Sequence, residues 1–125
     1  MYKEIIEKYG KFSDSWIKEL RFIQRYDSNF KQIEVFIYCS NKSNDFKYEL
    51  IKIIFGDVKE FQINGIENKD IFSIDEVYTI ESGEIIFDFD PIDYFDYLKE
   101  NADSKFKIKA YSIKYEYIED YNGIN

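Results

Sequence analysis

The alternation of apolar and polar residues in the middle of the chain most constrains its fold. From Ile33 to Cys39 every second residue is apolar, which is typical of a strand with one buried face. Similar β-rich runs, separated by turn-forming residues, follow at 46–55, 58–63, 77–80, 84–89 and 105–118. The pattern predicts an α+β fold with a mainly antiparallel, strongly twisted sheet. No linker interrupts the 125 residues, so a single domain over 1–125 is expected.

A short helix is predicted before the sheet. Tyr2, Ile5 and Tyr9 share one helical face, and Gly10 follows them as a natural C-terminal cap. Residues 15–26 fit either a helix or a strand by the spacing of their apolar side chains, and we favour a strand.

A second short helix is predicted near residues 91–100. Asp90 is suited to accept backbone N–H bonds at a helix start, and Pro91 is favoured at the first helical position. The apolar parity changes after Leu50 and again after Ala110, which indicates a β-bulge or a strong twist in each of those strands.

Composition narrows the chemistry that is open to the chain. With no histidine and one cysteine, the chain has no internal disulfide, no Ser-His or Cys-His pair and no usual zinc ligand set. Cys39 continues an inward alternation and is interpreted as a buried, unreactive thiol. We therefore predict no catalytic residue, metal or cofactor, and we favour a non-catalytic role over carboxylate, lysine or tyrosine chemistry.

The N-terminus and the short apolar runs bear on location. Residues 1–8 alternate charged with apolar side chains and lack the apolar region of a signal peptide. No apolar run approaches the ~20 residues that span a bilayer. A cytoplasmic protein without membrane association is expected.

Negative charge is concentrated in one segment. Residues 66–103 contain twelve acidic and two basic residues, a net charge of −10, whereas the others contain 13 acids and 15 bases. The overall net charge of −8 is the sum of −10 and +2. The segment is either a solvated surface or a docking surface for a basic protein. Nucleic acid is not an expected partner, because phosphate binding needs a clustered basic face.

Acidic residues near the end of this segment are the candidate partner-binding residues. They are Asp88, Asp90, Asp93, Asp96 and Glu100. Asp88 and Asp90 share strand parity and would offer oxygens to Ca²⁺ or Mg²⁺, but the glycine and terminal glutamate of an EF-hand loop are missing. We interpret Asp88 as the polar face of a strand and Asp90 as a helix cap.

Aromatic residues make up 20% of the chain. In a small β-rich domain they mostly fill the core or cover a sheet face. That position is predicted for Trp16, Phe36, Phe55, Phe87 and Phe89, and partial exposure for Tyr111, Tyr115 and Tyr117.

Three segments resemble those of known proteins. Phe12-Ser13-Asp14-Ser15-Trp16-Ile17 leads into a strand, Ile53 to Phe61 contains Phe55-Gly56-Asp57-Val58, and residues 68–74 precede a closing strand. The order resembles small bacterial proteins that include immunity proteins of polymorphic toxin systems, with Ser13 in place of their histidine. The resemblance implies a protein that binds and neutralises a toxin and carries no catalytic motif.

Three functional hypotheses follow. The first is a non-catalytic domain that binds a basic protein, such as a toxin, through an acidic face. The alternative is a small-molecule-binding or carboxylate-dependent enzymatic α+β domain. The third is a structural subunit of a larger assembly.

Overall fold

The computed structural model describes residues 2–10, 12, 14–63, 71–72, 76–79, 83–89, 92–94, 97–99 and 101–121. The helix is α1 (Tyr2–Tyr9), and a single 3₁₀ turn covers Lys42–Asn44. The strands are β1 (Ser15–Gln24), β2 (Lys31–Asn41), β3 (Lys47–Ile63), β4 (Ile71–Phe72), β5 (Glu76–Thr79), β6 (Ile85–Asp88), β7 (Ile92–Tyr94), β8 (Tyr97–Lys99) and β9 (Phe106–Asp120).

Seven strands form one antiparallel sheet in the order β4-β1-β2-β3-β9-β6-β5. The α+β prediction, with a mainly antiparallel sheet and an N-terminal helix, is confirmed. The strand favoured for residues 15–26 is also confirmed, as β1. β5 and β6 form the hairpin that the spacing around Gly83 indicates. In the part of the chain that is described, no helix is long and apolar enough to cross a membrane.

The prediction of a second helix near residues 91–100 is wrong for the residues that the structure describes there. β7 and β8 pair antiparallel in a separate two-stranded sheet, with Ile92 opposite Lys99 and Tyr94 opposite Tyr97. The helix prediction relied on local signals at the start of the segment. Ile and Tyr have higher strand than helix propensity, and pairing between the strands supplies the hydrogen bonds that a helix would otherwise provide.

The amphipathic helix α1 packs on the sheet by its apolar stripe. Ile5 and Tyr9 are buried, and Phe12 just beyond the helix is buried with them. Gly10 ends the helix with a positive φ of 62° and donates its N–H to the Ile6 carbonyl at 2.8 Å. Glycine adopts this backbone conformation without the steric cost of a side chain, which explains why the helix stops there.

Two register shifts interrupt the long pairing of β3 with β9. One falls between Leu50 and Ile51, with the extra residue on β9, and the other between Val58 and Glu60, with the extra residue on β3. Near the second shift the Ser112 hydroxyl occupies the space beside Gly56, because a Cβ on Gly56 would lie 2.4 Å from Ser112 Oγ. A side chain at position 56 would therefore require the Ser112 hydroxyl to move.

The two faces of the sheet differ in composition. The covered face, on which α1 packs, carries most of the core: Ile33, Val35, Ile37, Cys39, Ile51, Ile53, Phe55, Phe87, Phe106 and Ile108. The open face is the opposite side of β1, β2, β3 and β9, and it carries Trp16, Arg21, Glu34, Phe36, Tyr38, Lys52 and Glu116. Of the aromatic residues predicted to be core or sheet face, Phe55, Phe87 and Phe89 are buried, while Trp16 and Phe36 are half-buried on the open face.

Candidate functional site

A polar pocket lies between α1 and the covered face, near the turn that joins β2 to β3. We call it the Glu49 pocket. Its volume is about 360 Å³ and it is open to solvent. The helix contributes Glu4, Lys8 and Tyr9, and the strands contribute Asn41, Glu49, Tyr115 and Tyr117.

A buried carboxylate forms the base of the pocket. Glu49 is only 5% exposed. Tyr9 Oη donates to Glu49 Oε1 at 2.9 Å, and Asn41 Nδ2 donates to Oε2 at 3.0 Å. Burial raises the pKa of Tyr9, and the hydrogen bond to Glu49 raises it further, so Tyr9 remains a neutral donor. Both donors to Glu49 are uncharged.

The local fold explains how Asn41 reaches the carboxylate. Asn41 ends β2 and caps the 3₁₀ turn, with its Oδ1 accepting from the backbone N–H of Ser43 at 2.8 Å. This bond fixes the amide, so that its Nδ2 points at Glu49 on the adjacent strand. One amide therefore links the conformation of the turn to the base of the pocket.

A second polar cluster forms the rim. Lys8 Nζ donates to Tyr115 Oη at 2.6 Å, and Tyr115 Oη donates to Glu4 Oε1 at 2.8 Å. Lys8 also lies 3.6 Å from Glu4. The hydrogen bond with Tyr115 is the main cause of a raised pKa at Lys8, so the ammonium stays charged. Lys8 is thus engaged with Glu4 and Tyr115 on the helix side of the pocket.

Tyr117, which lines the pocket from β9, is also surrounded by negative charge. Tyr117 Oη donates to Asp120 Oδ1 at 2.7 Å. This hydrogen bond raises the pKa of Tyr117, and the charges of Glu49 and Glu119 contribute in the same direction.

Cys39, beside the pocket, behaves as the sequence indicates. It is fully buried, and burial raises its pKa, with a further contribution from the charge of Glu49. A thiol in this environment stays protonated and is a poor nucleophile.

The lining of the pocket has an excess of negative charge. It contains the carboxylates Glu4 and Glu49 and one ammonium, Lys8, a balance of −1. Among the described residues, no lysine or arginine nitrogen lies within 4.0 Å of Glu49. The described residues also contain no cluster of three potential metal ligands. The arrangement favours a positively charged organic group over an anion.

On the open face, a second buried glutamate is surrounded by cations. Glu34 is 8% exposed. Arg21 Nη1 lies 4.0 Å from its Oε1, and Lys52 Nζ lies 3.8 Å from its Oε2 and 3.2 Å from Glu116 Oε2. The Arg21 guanidinium and the Lys52 ammonium also lie over the ring of Phe36, at 4.8 and 5.8 Å from its centroid.

The acidic residues singled out in the sequence lie elsewhere. Asp88 ends β6, is fully buried, and accepts a bond of 2.6 Å from the backbone N–H of Asn101. Its carboxylate therefore fixes the chain after β8 and is not exposed at the surface. Asp93 lies in β7, while Asp90, Asp96 and Glu100 fall outside the described residues. A partner-binding role for these residues stays a prediction.

Sequence reasoning missed Glu49 as a site residue, although a signal was present. Glu49 shares parity with Ile51 and Ile53, and both point into the core. A charged residue at an inward position of a strand is a candidate for function, because a buried charge is costly. The change of parity after Leu50 obscured this signal by suggesting that Tyr48 and Leu50 faced inward.

Comparison with known proteins yields no relative. A scan against models of protein families, a search of curated proteins and a search of solved structures each found no match.

Proposed function

We propose that this protein is a non-catalytic domain that binds a basic protein partner through its acidic segment, residues 66–103. The observation that carries the proposal is the net charge of −10 in that segment beside +2 in the rest of the chain. Because the chain resembles immunity proteins, the partner that we propose is a toxin. Opposite charges steer association and select against acidic partners.

The described acids of the segment indicate which residues carry the interaction. Glu84 is paired with Lys59, and Asp88 is buried. Neither carboxylate is available to a partner, so the proposed docking surface depends on the other acidic residues of the segment. Asp93 and Asp96 are the pair that we select for charge reversal, because they are the middle two, in sequence, of the remaining candidates Asp90, Asp93, Asp96 and Glu100.

The test compares two charge reversals of equal size. The partner is captured from the native host, and its association is measured for wild type, for Asp93→Lys with Asp96→Lys, and for Glu7→Lys with Asp27→Lys. Glu7 and Asp27 are exposed and lie outside the segment, so the control shifts the net charge equally. We expect a slower association rate for the first variant, and for the wild type a rate that falls with salt, since charges are screened over ~10 Å at 0.1 M.

Circular dichroism of both variants checks that the fold is retained. An acidic partner, or equal association rates for the two double variants, would contradict docking through the acidic segment.

A small-molecule-binding domain is the second candidate function. The observation that favours it is the open pocket of about 360 Å³ with a buried carboxylate at its base, since ligand sites commonly combine a concave shape with a few converging polar groups. A thermal-shift screen with cationic, neutral and anionic metabolites tests it. Stabilisation by none of the three classes would remove this candidate.

A further inference from the structure

We propose that the Glu49 pocket is a binding site for an organic cation, a guanidinium or primary ammonium group, that pairs with the Glu49 carboxylate. The proposal names the ligand class of the second candidate function, on which it rests. It is independent of the acidic segment, because no lining residue of the pocket lies between positions 66 and 103.

The first argument is the unbalanced charge of Glu49. Its two partners, Tyr9 and Asn41, supply one neutral hydrogen bond to each carboxylate oxygen. An ionised carboxylate has about four acceptor sites, so both oxygens retain the capacity to accept a further donor. A buried charge held only by neutral donors is stabilised further when a cation reaches it.

The second argument is the chemistry of the walls. Tyr115 and Tyr117 line the pocket beside the carboxylate, and the faces of tyrosine rings attract guanidinium and ammonium groups. Lys8 shows that the rim accepts such a group, since its ammonium lies 5.3 Å from the centroid of the Tyr115 ring and bonds to its hydroxyl. A bound cation at Glu49 would repeat this combination of carboxylate and aromatic ring.

The third argument is the negative charge around Tyr117. Its hydroxyl bonds to Asp120, and Asp120 lies opposite Glu49 in the pairing of β3 with β9. The part of the pocket beside Tyr117 is therefore negative, which favours a cation there.

The experiment measures binding of n-propylguanidine by calorimetry, with n-propylurea as the matched neutral probe. The two probes have nearly the same shape, but only the first carries a guanidinium charge. We expect the wild type to bind n-propylguanidine and to bind n-propylurea at least about tenfold more weakly, since a lost charge pairing of ~1.4 kcal/mol is a factor of ten. Equal binding of the two probes, or binding of neither, would overturn the proposal.

Two variants move the affinity in opposite directions. Glu49→Gln keeps the shape of the side chain and should lower the affinity for n-propylguanidine by about tenfold or more. Lys8→Met removes the cation of the rim and should raise it. If Glu49→Gln fails to fold, Glu4→Gln at the exposed rim takes its place and should weaken binding. Unchanged affinity in both Lys8→Met and a folded glutamine variant would contradict a charge-selective site.

A third probe separates the two sources of the ligand. The blocked tripeptide acetyl-Gly-Arg-Gly-amide presents the same guanidinium within a peptide. Tighter binding of the tripeptide than of n-propylguanidine assigns the site to an arginine of a protein partner, and the reverse order assigns it to a free small molecule. If both probes fail while a neutral or anionic metabolite stabilises the fold, the cation proposal is wrong and small-molecule binding stands.

Discussion

Glu34 on the open face and Glu49 on the covered face are both buried, with 8% and 5% of their surface exposed, but their partners differ in charge. Glu34 lies within 4.0 Å of Arg21 and Lys52. Within the described part of the chain, Glu49 receives hydrogen bonds from a phenol and an amide only. The charge of Glu34 is neutralised within the protein, whereas the charge of Glu49 is left for something that enters the pocket.

The comparison separates a structural ion pair from a candidate site. Burial by itself does not distinguish the two glutamates, because their exposed fractions are nearly equal. The charge of the neighbouring side chains does distinguish them. A buried carboxylate without a cation destabilises the fold, so Glu49 has no structural role that its charge would explain.

The largest expected effect comes from removing a donor of Glu49. Tyr9→Phe deletes the hydroxyl that lies 2.9 Å from Oε1 and leaves the buried carboxylate with one hydrogen bond. We expect a loss of about 1.5–3 kcal/mol in the free energy of unfolding, the range for bonds to charged groups. Urea denaturation measures it.

Tyr117→Phe is the control for that loss, because it deletes an exposed hydroxyl bonded to Asp120. It should change the free energy of unfolding by less than about 0.5 kcal/mol. Equal losses in the two variants would show that the carboxylate does not depend on Tyr9.

Changing each glutamate to glutamine should have a smaller effect on the free energy of unfolding, and the sign should differ between the two variants. Glu34→Gln abolishes the attraction to Arg21 and Lys52 and should cost about 1 kcal/mol. Glu49→Gln removes a charge without a cationic partner, so the free energy of unfolding should stay unchanged or rise slightly. Chemical denaturation at pH 7 compares the two, and a larger loss for Glu49→Gln than for Glu34→Gln would refute the contrast.

The smallest effect is expected at the edge of the Glu34 cluster. Arg21 is 55% exposed and lies 4.0 Å from Glu34, so Arg21→Met should cost about 0.5 kcal/mol or less. The loss should vanish in about 1 M salt, where charges are screened within ~3 Å. Lys47→Met, at an exposed position of β3, is the control. A loss that persists in high salt would indicate that the Arg21 guanidinium also stabilises the fold by stacking on the Phe36 ring.

The sequence was sufficient for the elements whose signals are local. The alternation of β2 and the glycine after α1 correctly predicted a strand and a helix end. The segment from Ile92 to Lys99 was not predictable in this way, because its structure depends on pairing between two strands. A local cap signal at Asp90 and Pro91 carries no information about that pairing.

The site was harder to predict than the fold. Placing Glu49 required knowing that it shares the inward side of β3 with Ile51 and Ile53, and the unshifted pairing of β3 with β2 establishes this. Asp88 shows the opposite error. It looked like the polar face of a strand, yet it is buried because the chain returns to it at Asn101. In both residues, contacts between distant segments decide the role.

The position of the last strand has a consequence for the order in which the chain folds. β9 lies in the interior of the sheet, between β3 and β6. The hairpin of β5 and β6 therefore joins the sheet only through a strand that the ribosome makes after it. Until then β3 has one paired and one unpaired edge, and its 17 residues stay open to pairing with other chains. Synthesis of β9 closes that edge, so the central sheet is completed only after β9 has left the ribosome.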